Sequence, residues 1–413
     1  MINTVFKNNR NKLAEKLEDN SILVMFAGEA KYKSADERYD FTPNRNFYYL
    51  TGIDEEKDIL VIKKENGEVS ETLFIREIDE IMAKWVGATF TKEEASEKSG
   101  IENVMYLDSF LSSLNSLLCS EEIENIYLDL ERRDFDEAER EGGIFAKKIA
   151  KRYPQVVIKN AYNIISELRL RKSKEEIDEM RKAAEITKDG VELLMNSSKP
   201  GMMEYQLEAY FDFYLKQNGV KDFAFKTIAA SGKNASILHY NENDSEMKDG
   251  DLILFDLGAQ WNYYNADVSR TFPVNGKFTD RQKELYQAVL DVNIAMINMM
   301  KPGVSMREVN DAANDMIAEK CLALGLTEKK EDFRKYYFHS IGHSLGLDTH
   351  DVGKRFGVLE EGMVWTIEPG LYIPEENIGI RIEDDVLITA DGHEVLTKDI
   401  IKSIDDIEKF MSK

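Results

Sequence analysis

One pattern occurs twice between Lys199 and Gly370, and such a repeat commits this part of the chain to two copies of a single folding unit. Lys199-Pro200-Gly201 and Lys301-Pro302-Gly303 each end one helical stretch and precede another, Tyr205–Asn218 and Met306–Leu324. Apolar strands follow in both copies. The run from Gly250 to Gly258 has the form of the run from Gly362 to Gly370, and each carries a carboxylate six positions after its first glycine: Asp256 in one, Glu368 in the other. Either short string could arise by accident, but the order helix, helix, strand repeated around them points to an internally duplicated domain.

At 413 residues the chain exceeds the size at which one core stops growing, so two domains are expected. A boundary falls near Asn160–Lys172, after which Ser173 and Glu176 stand in the capping-box relation that opens a long amphipathic helix. We therefore expect domains at 1–165 and 166–413. In the first, β-branched and aromatic residues predict strands at Ser21–Ala27, Asn46–Leu50, Asp58–Lys63, Glu71–Arg76, Ile126–Leu130 and Val156–Ile158. Helical periodicity fits Phe6–Leu17, Lys92–Glu97 and Phe135–Arg152, and Asn66-Gly67 reads as a hairpin turn. This is an α/β domain with a mixed sheet.

The net charge of −23 repels phosphate backbones and anionic lipid, which excludes nucleic acid and membrane surfaces as partners. No run approaches about 20 apolar residues, and Met1–Arg10 lacks the apolar core of a secretory signal, so a cytoplasmic protein is expected. Cys119 and Cys321 match no disulfide or thiolate-metal spacing and read as packing residues.

Chemistry concentrates in the repeated part. Of five histidines, His239, His339, His343 and His350 lie before the acidic strands of one half or the other. Gly342 and Gly346 interrupt the run His339–His350, which makes it strand and loop rather than a zinc-binding helix. Asp256 ends an apolar strand and Asp267 begins the returning one, so a hairpin brings the two together. Glu368 ends the strand Val364–Ile367. In the strand containing Gly379–Ile388, alternation puts Ile380 and Ile382 on one face, and Arg381 and Glu383 on the other. Carboxylates at strand ends beside a core need a positive partner. Four of them with one imidazole form a hard, oxygen-rich set for two divalent ions, with Mn²⁺, Co²⁺ and Zn²⁺ all admissible. Ions about 3.5–4 Å apart sharing a water would generate hydroxide at neutral pH, which implies hydrolysis.

The ordered set Asp256, Asp267, His343, Glu368 and Glu383, with Leu238-His239-Tyr240 and Leu347-Asp348-Thr349-His350-Asp351, resembles the pita-bread metallopeptidases, specifically the aminopeptidase P (Xaa-Pro aminopeptidase) family, over nearly the whole chain. The fold implied is α+β: a pita-bread catalytic domain with an internal pseudo-two-fold repeat, preceded by the α/β domain. The resemblance implies that Asp256 binds one metal, Asp267 and Glu383 bridge both, and His343 and Glu368 complete the other, in a dimanganese site. It implies hydrolysis of the amino-terminal Xaa-Pro bond by a bridging hydroxide, with His239 and His350 as catalytic histidines and Glu368 as proton shuttle. His339 would line the substrate pocket, supported by Tyr372 and Arg381. Phe6-x-x-x-Arg10, Leu13–Leu17, Phe26-Ala27-Gly28, Ser34-Ala35-Asp36 and Asn46–Gly52 resemble the family's amino-terminal domain, which implies that Asp36 and Trp85 approach the mouth of the site in the same or a neighbouring subunit. The core reading of Trp85 stays open beside this one.

Between Asp351 and Leu359 the chain is shorter than the family pattern, leaving Arg355 as the candidate for the family's substrate-binding arginine. The expected partners are peptides with proline second and further copies of the chain, in a homodimer or larger assembly. An Xaa-Pro dipeptidase is the neighbouring alternative, and a non-catalytic peptide-binding protein on the same fold is the alternative of another class.

Overall fold

The computed structural model describes residues 3–77, 80–120 and 122–412, so Met1, Ile2 and Lys413 of the expected domains lie outside the described residues. The chain forms two compact units that divide after Arg169. Among the described residues no helix is long and apolar enough to cross a membrane.

In the amino-terminal unit six strands form one mixed sheet in the order Val104–Tyr106, Glu68–Ile75, Ile59–Glu65, Ser21–Phe26, Asn125–Leu128, Val157–Asn160. Ser21–Phe26 runs antiparallel to Ile59–Glu65 and parallel to Asn125–Leu128, and its residues Ser21–Met25 are all buried. Asn66 and Gly67 take φ of 52° and 78°, joining strands that pair Glu65 with Glu68, as the two-residue hairpin requires. The helices Asn3–Lys16 and Lys92–Ser99 fall close to their expected bounds.

Two expectations are corrected here. The segment Asn46–Leu50 is not a strand; Arg45–Thr51 is a helix. Asn44 caps it by accepting from the backbone N–H groups of Asn46 and Phe47, and Gly52, in the left-handed conformation, donates its N–H to the Tyr48 carbonyl. Two good caps on seven residues, with Phe47, Tyr48 and Tyr49 buried, override aromatic β-propensity. The helix expected over Phe135–Arg152 starts only at Glu141. Upstream, Glu137 accepts from the Arg133 backbone and from the Arg140 side chain, holding a tight loop that leaves Phe135 89% exposed.

In the carboxy-terminal unit the capping box Ser173–Glu176 opens the helix Lys174–Ser197, and both reciprocal bonds are present. The repeat is visible in backbone detail. The helices Glu204–Gln217 and Met306–Ala323 occupy the corresponding places. Gly201 and Gly303 sit at φ 87° and 86°, and Gly250 and Gly362 both at 85°. The Gly201 N–H donates to the Met247 carbonyl at 2.8 Å, as the Gly303 N–H does to Leu359 at 2.9 Å. Bridges Met203↔Glu246 and Ser305↔Val358 complete the match.

Each half contributes a three-stranded antiparallel sheet: Val268–Pro273, Leu252–Leu257 and Ile228–Ser231 in one, Val364–Ile367, Asp384–Ile388 and His393–Val395 in the other. The halves join where the Glu383 N–H donates to the Ser269 carbonyl, and where Thr271 Oγ1 exchanges hydrogen bonds with the Arg381 backbone. One apolar core, including Phe211, Phe255, Phe272, Tyr286, Ile367 and Ile380, runs through both.

Gly52 supports a prediction. A Cβ there would lie 2.2 Å from the Phe6 ring at a backbone φ of 67°. Gly52→Ala is expected to cost about 2–4 kcal/mol, the combined cost of a left-handed alanine and an overpacked contact, read as a lower urea midpoint.

Candidate metal centre

The two hairpins of the repeated unit deliver four carboxylates. Asp256 lies in the strand Leu252–Leu257, opposite Ser269, and Asp267 immediately precedes the returning strand. Gly258 permits the close crossing there: a Cβ would fall 1.8 Å from the Ala266 carbonyl oxygen. In the other half the last ladder pair is Ile367↔Asp384, and Glu368 and Glu383 sit one residue beyond it.

His343 comes from the loop before these strands. Its backbone N–H donates to Thr366 Oγ1 at 3.1 Å and its carbonyl accepts from the Thr366 N–H at 2.9 Å. Gly342 lets the loop lie on that strand, since a Cβ would come within 1.9 Å of the Thr366 oxygen. The ring Nδ1 is 3.1 Å from the Ser344 carbonyl. A carbonyl only accepts, so this contact places a proton on Nδ1 and turns Nε2 toward the acids. Nε2 lies 3.4 Å from Asp267 and 3.9 Å from Glu368.

One ligand atom each from Asp267, His343 and Glu383 lie within 4.8 Å of one another. Ser269 and Arg381 tie Asp256 to this group. Ser269 Oγ is 3.1 Å from Asp256 and 2.8 Å from Glu383, and it accepts from Arg381 Nε at 2.7 Å. Arg381 also donates to the other Asp256 oxygen at 2.6 Å and to the Tyr372 hydroxyl at 3.2 Å. The Tyr372 hydroxyl stands 2.9 Å from His339 Nε2, while His339 Nδ1 is 2.8 Å from the Ser340 carbonyl. His339 therefore donates through Nδ1 and accepts from Tyr372. Burial, aided by Arg381, pushes its pKa down to about 3, so it is neutral. The strand expected to run through Gly379–Ile388 stops at Arg381 and resumes at Asp384, yet Arg381 and Glu383 both reach Ser269.

Burial pushes Asp267 and Glu383 well above the usual carboxylate range, and each is raised further by its acidic neighbours. Burial raises Glu368 as well, against the opposing pull of His343 and Arg381. An imidazole nitrogen beside buried acids that repel one another suits a hard divalent cation, whose charge reverses this penalty. The residues present fit such an ion.

His350 is exposed, its ring edge-on to His343 with centroids 4.3 Å apart. Its loop is anchored by a buried ion pair, Lys172 to Asp351 at 3.0 Å. His239 is exposed as well and lies close enough to His339 to oppose its protonation. Arg355 is exposed and stacks on Phe356, which Arg307 also flanks.

Asp36 and Trp85 belong to the amino-terminal unit. Asp36 is exposed between two short strands, and Trp85, at 82% exposure on a helix without a buried residue, is no core residue. Two residues escaped the sequence reading. Ser269 stands two positions after Asp267, on the same strand face, and that spacing was a usable signal. Glu204, fully buried, accepts from the Ser231 and Ser245 backbones and from the side chains of Ser231, Asn234 and Tyr240, fixing the segment that carries His239; nothing local in the sequence marks it.

The class defined by this fold and donor set is a metallopeptidase. The model of metallopeptidase family M24 matches residues 178–390, and that of the aminopeptidase P N-terminal domain matches residues 6–127. The chain is 34% identical to the Xaa-Pro aminopeptidase of Escherichia coli K12, over 98% of this chain and 97% of that one. It superposes on proline aminopeptidase P II from Yersinia pestis with a TM-score of 0.91 at 34% identity, covering both chains fully. A Bacillus anthracis structure provisionally assigned as an aminopeptidase P gives 0.98 at 51% identity, covering 100% of this chain and 99% of that one. The chain belongs to metallopeptidase family M24, with the pita-bread catalytic domain and amino-terminal domain of aminopeptidase P.

The raised carboxyls set a pH dependence for the metal-free protein. Their native pKa values exceed the unfolded values of about 4, so the native state holds the extra protons. Stability is full below that range and falls as pH rises through the native values. The melting temperature of chelated protein is expected to drop as pH rises above about 4, the unfolded carboxylate value, and added Mn²⁺ should raise it more at neutral than at acidic pH.

Proposed function

We propose that this chain is a cytoplasmic Xaa-Pro aminopeptidase that removes the residue preceding proline from peptides, using two divalent ions, Mn²⁺ in the native form. The observation that carries this reading is the convergence of Asp267, His343 and Glu383 to within 4.8 Å, with Asp256 and Glu368 attached through Ser269 and His343. Asp256, Asp267 and Glu383 would hold one ion; Asp267, His343, Glu368 and Glu383 the other. When bound, such a pair supplies Lewis acidity and lowers the pKa of a water to about 7.

The chain's own groups supply the rest. Asp256, oriented by Arg381, receives the free amine of the substrate. His350 and His239, exposed at the site, donate to the oxygen on which negative charge develops. Glu368, half-buried and with a raised pKa, takes and returns a proton. His339, held neutral, lines the pocket without adding charge next to the amine. Proline's nitrogen carries no hydrogen and its ring fixes φ, so a site that demands no N–H donor at the second residue accepts it.

Arg355 is the group nearest in sequence to hold the far end of a longer peptide. Asp36 on its hairpin and Trp85 on an exposed apolar helix suit contact with another copy in a homodimer or larger assembly. We assign the boundary between the amino-terminal and catalytic domains to the segment around 165. Relatives of full length named as Xaa-Pro aminopeptidases favour this reading over a dipeptidase.

The test compares Xaa-Pro dipeptides, Xaa-Pro-Xaa tripeptides and Met-Ala peptides with Mn²⁺ present. Tripeptide cleavage that a chelator abolishes and Mn²⁺ restores is expected; cleavage confined to dipeptides, or a preference for Met-Ala, would sink the assignment. His350→Ala should lower kcat on the tripeptide about 10²–10³-fold, the cost of losing one donor to a developing oxyanion, with the melting temperature unchanged.

A further inference from the structure

Glu368 and Glu383 stand at a gap in their own hairpin. The register pairs Ile367 with Asp384 and resumes with Gly370 opposite Arg381, so two residues on each strand fall between ladders. Pro369 has no N–H to continue the pairing, and the Glu368 N–H turns to the Ile341 carbonyl at 2.8 Å. Across the gap one long strand-to-strand bond remains, from the Ile382 N–H to the Pro369 carbonyl at 3.3 Å, and neither Glu368 nor Glu383 gives its own N–H to the other strand of the hairpin.

Asn293, on the helix Asp280–Met299 and fully buried, spans that gap. Its Nδ2 donates to the Ile367 carbonyl and to the Ile382 carbonyl, each at 3.2 Å. These carbonyls belong to the peptide units whose N–H groups are those of Glu368 and Glu383. The other ends of the same units are held by Ile341 and by Ser269, whose carbonyl accepts the Glu383 N–H at 3.1 Å.

The Asn293 amide cannot turn over, because Lys402 Nζ donates to its Oδ1 at 2.9 Å and a lysine has no acceptor to offer a flipped NH₂. Lys402 is held in turn by Asp384 Oδ2 at 2.6 Å, and its carbonyl accepts from the Tyr286 hydroxyl, two turns earlier on the Asn293 helix.

We propose that Asn293 is a positioning residue for the metal centre: one amide, with its orientation locked by Lys402, sets the spacing between Glu368 and Glu383. The proposal rests on the reading of those glutamates as metal ligands. Asn293 is fully buried and acts through the two peptide units it joins.

The test is Co²⁺ titration of the metal-free full chain, followed by calorimetry and by the visible absorption of bound Co²⁺. Asn293→Asp keeps the shape and the Lys402 contact but removes both donors. It should weaken Co²⁺ about 10–100-fold, as loss of an outer hydrogen bond at a metal site does, and alter the absorption spectrum. Ile297→Ala, a cavity variant one turn along the same helix, should lower the melting temperature and leave Co²⁺ affinity and spectrum as in the wild type.

Should Asn293→Asp not fold, Lys402→Met, at a side chain 22% exposed, unlocks the same amide and should weaken Co²⁺ several-fold. Asn293→Asp or Lys402→Met binding Co²⁺ within two-fold of wild type, or Ile297→Ala weakening it equally, overturns the proposal while the metal reading stands. A wild-type chain that takes up no Co²⁺ overturns both.

Discussion

Bringing Asp256, Asp267, Glu368 and Glu383 into one partly buried cluster is the constraint to which the rest of the carboxy-terminal unit answers. Each carboxylate surrenders water, and each repels the next, so burial and neighbouring charge act in the same direction on Asp267 and Glu383. Within the chain, Arg381 answers part of this charge at Asp256, and Tyr372 and Ser269 fix where its guanidinium points. The remainder is a demand for external cations. His343, with Nδ1 donating to the Ser344 carbonyl, turns Nε2 to the acids in place of another carboxylate.

The consecutive acids Glu383, Asp384 and Asp385 show how strongly side-chain direction decides charge. Glu383 faces the cluster and is raised. Asp384, on the opposite face, is pushed up by burial yet ends below the usual carboxylate range, because Arg270 and Lys402 both reach it. Asp385 is buried and raised well above that range, with the Asp267 N–H donating to it. All five N–H groups of Arg270 are used: on Asp384 and on the carbonyls of Ser269, Glu383, Ile400 and Ile401. A saturated, dry guanidinium beneath the hairpins keeps the acids above it from deforming their own support.

The duplication and the convergence of Asp267, His343 and Glu383 were legible because they depend on spacing. A glycine with positive φ and an acid six positions later is a backbone instruction that local sequence records, and Gly250 and Gly362 take the same φ. Asn46–Leu50 was misread because its aromatics suit a strand, while the cap at Asn44 and the stop at Gly52 make it a helix. Glu204 and Asn293 were invisible for a different reason. Their partners lie as far as 41 and 109 residues away, and a polar residue on a helix looks solvated until the packing of other elements encloses it.

The doubled hairpins meet at equivalent positions that carry different residues. Asp256 is opposite Ser269, and the second register puts Glu383 opposite Glu368, so Ser269 corresponds to Glu383 and Arg270 to Asp384. Those corresponding residues bond to each other: Ser269 to Glu383 at 2.8 Å, Arg270 to Asp384 at 2.8 Å. Two identical subunits related by symmetry would oppose arginine to arginine there, or aspartate to aspartate. The ionic seam is therefore closed to a pair of identical halves, and once each half has come to complement its counterpart, neither can be exchanged for a copy of the other.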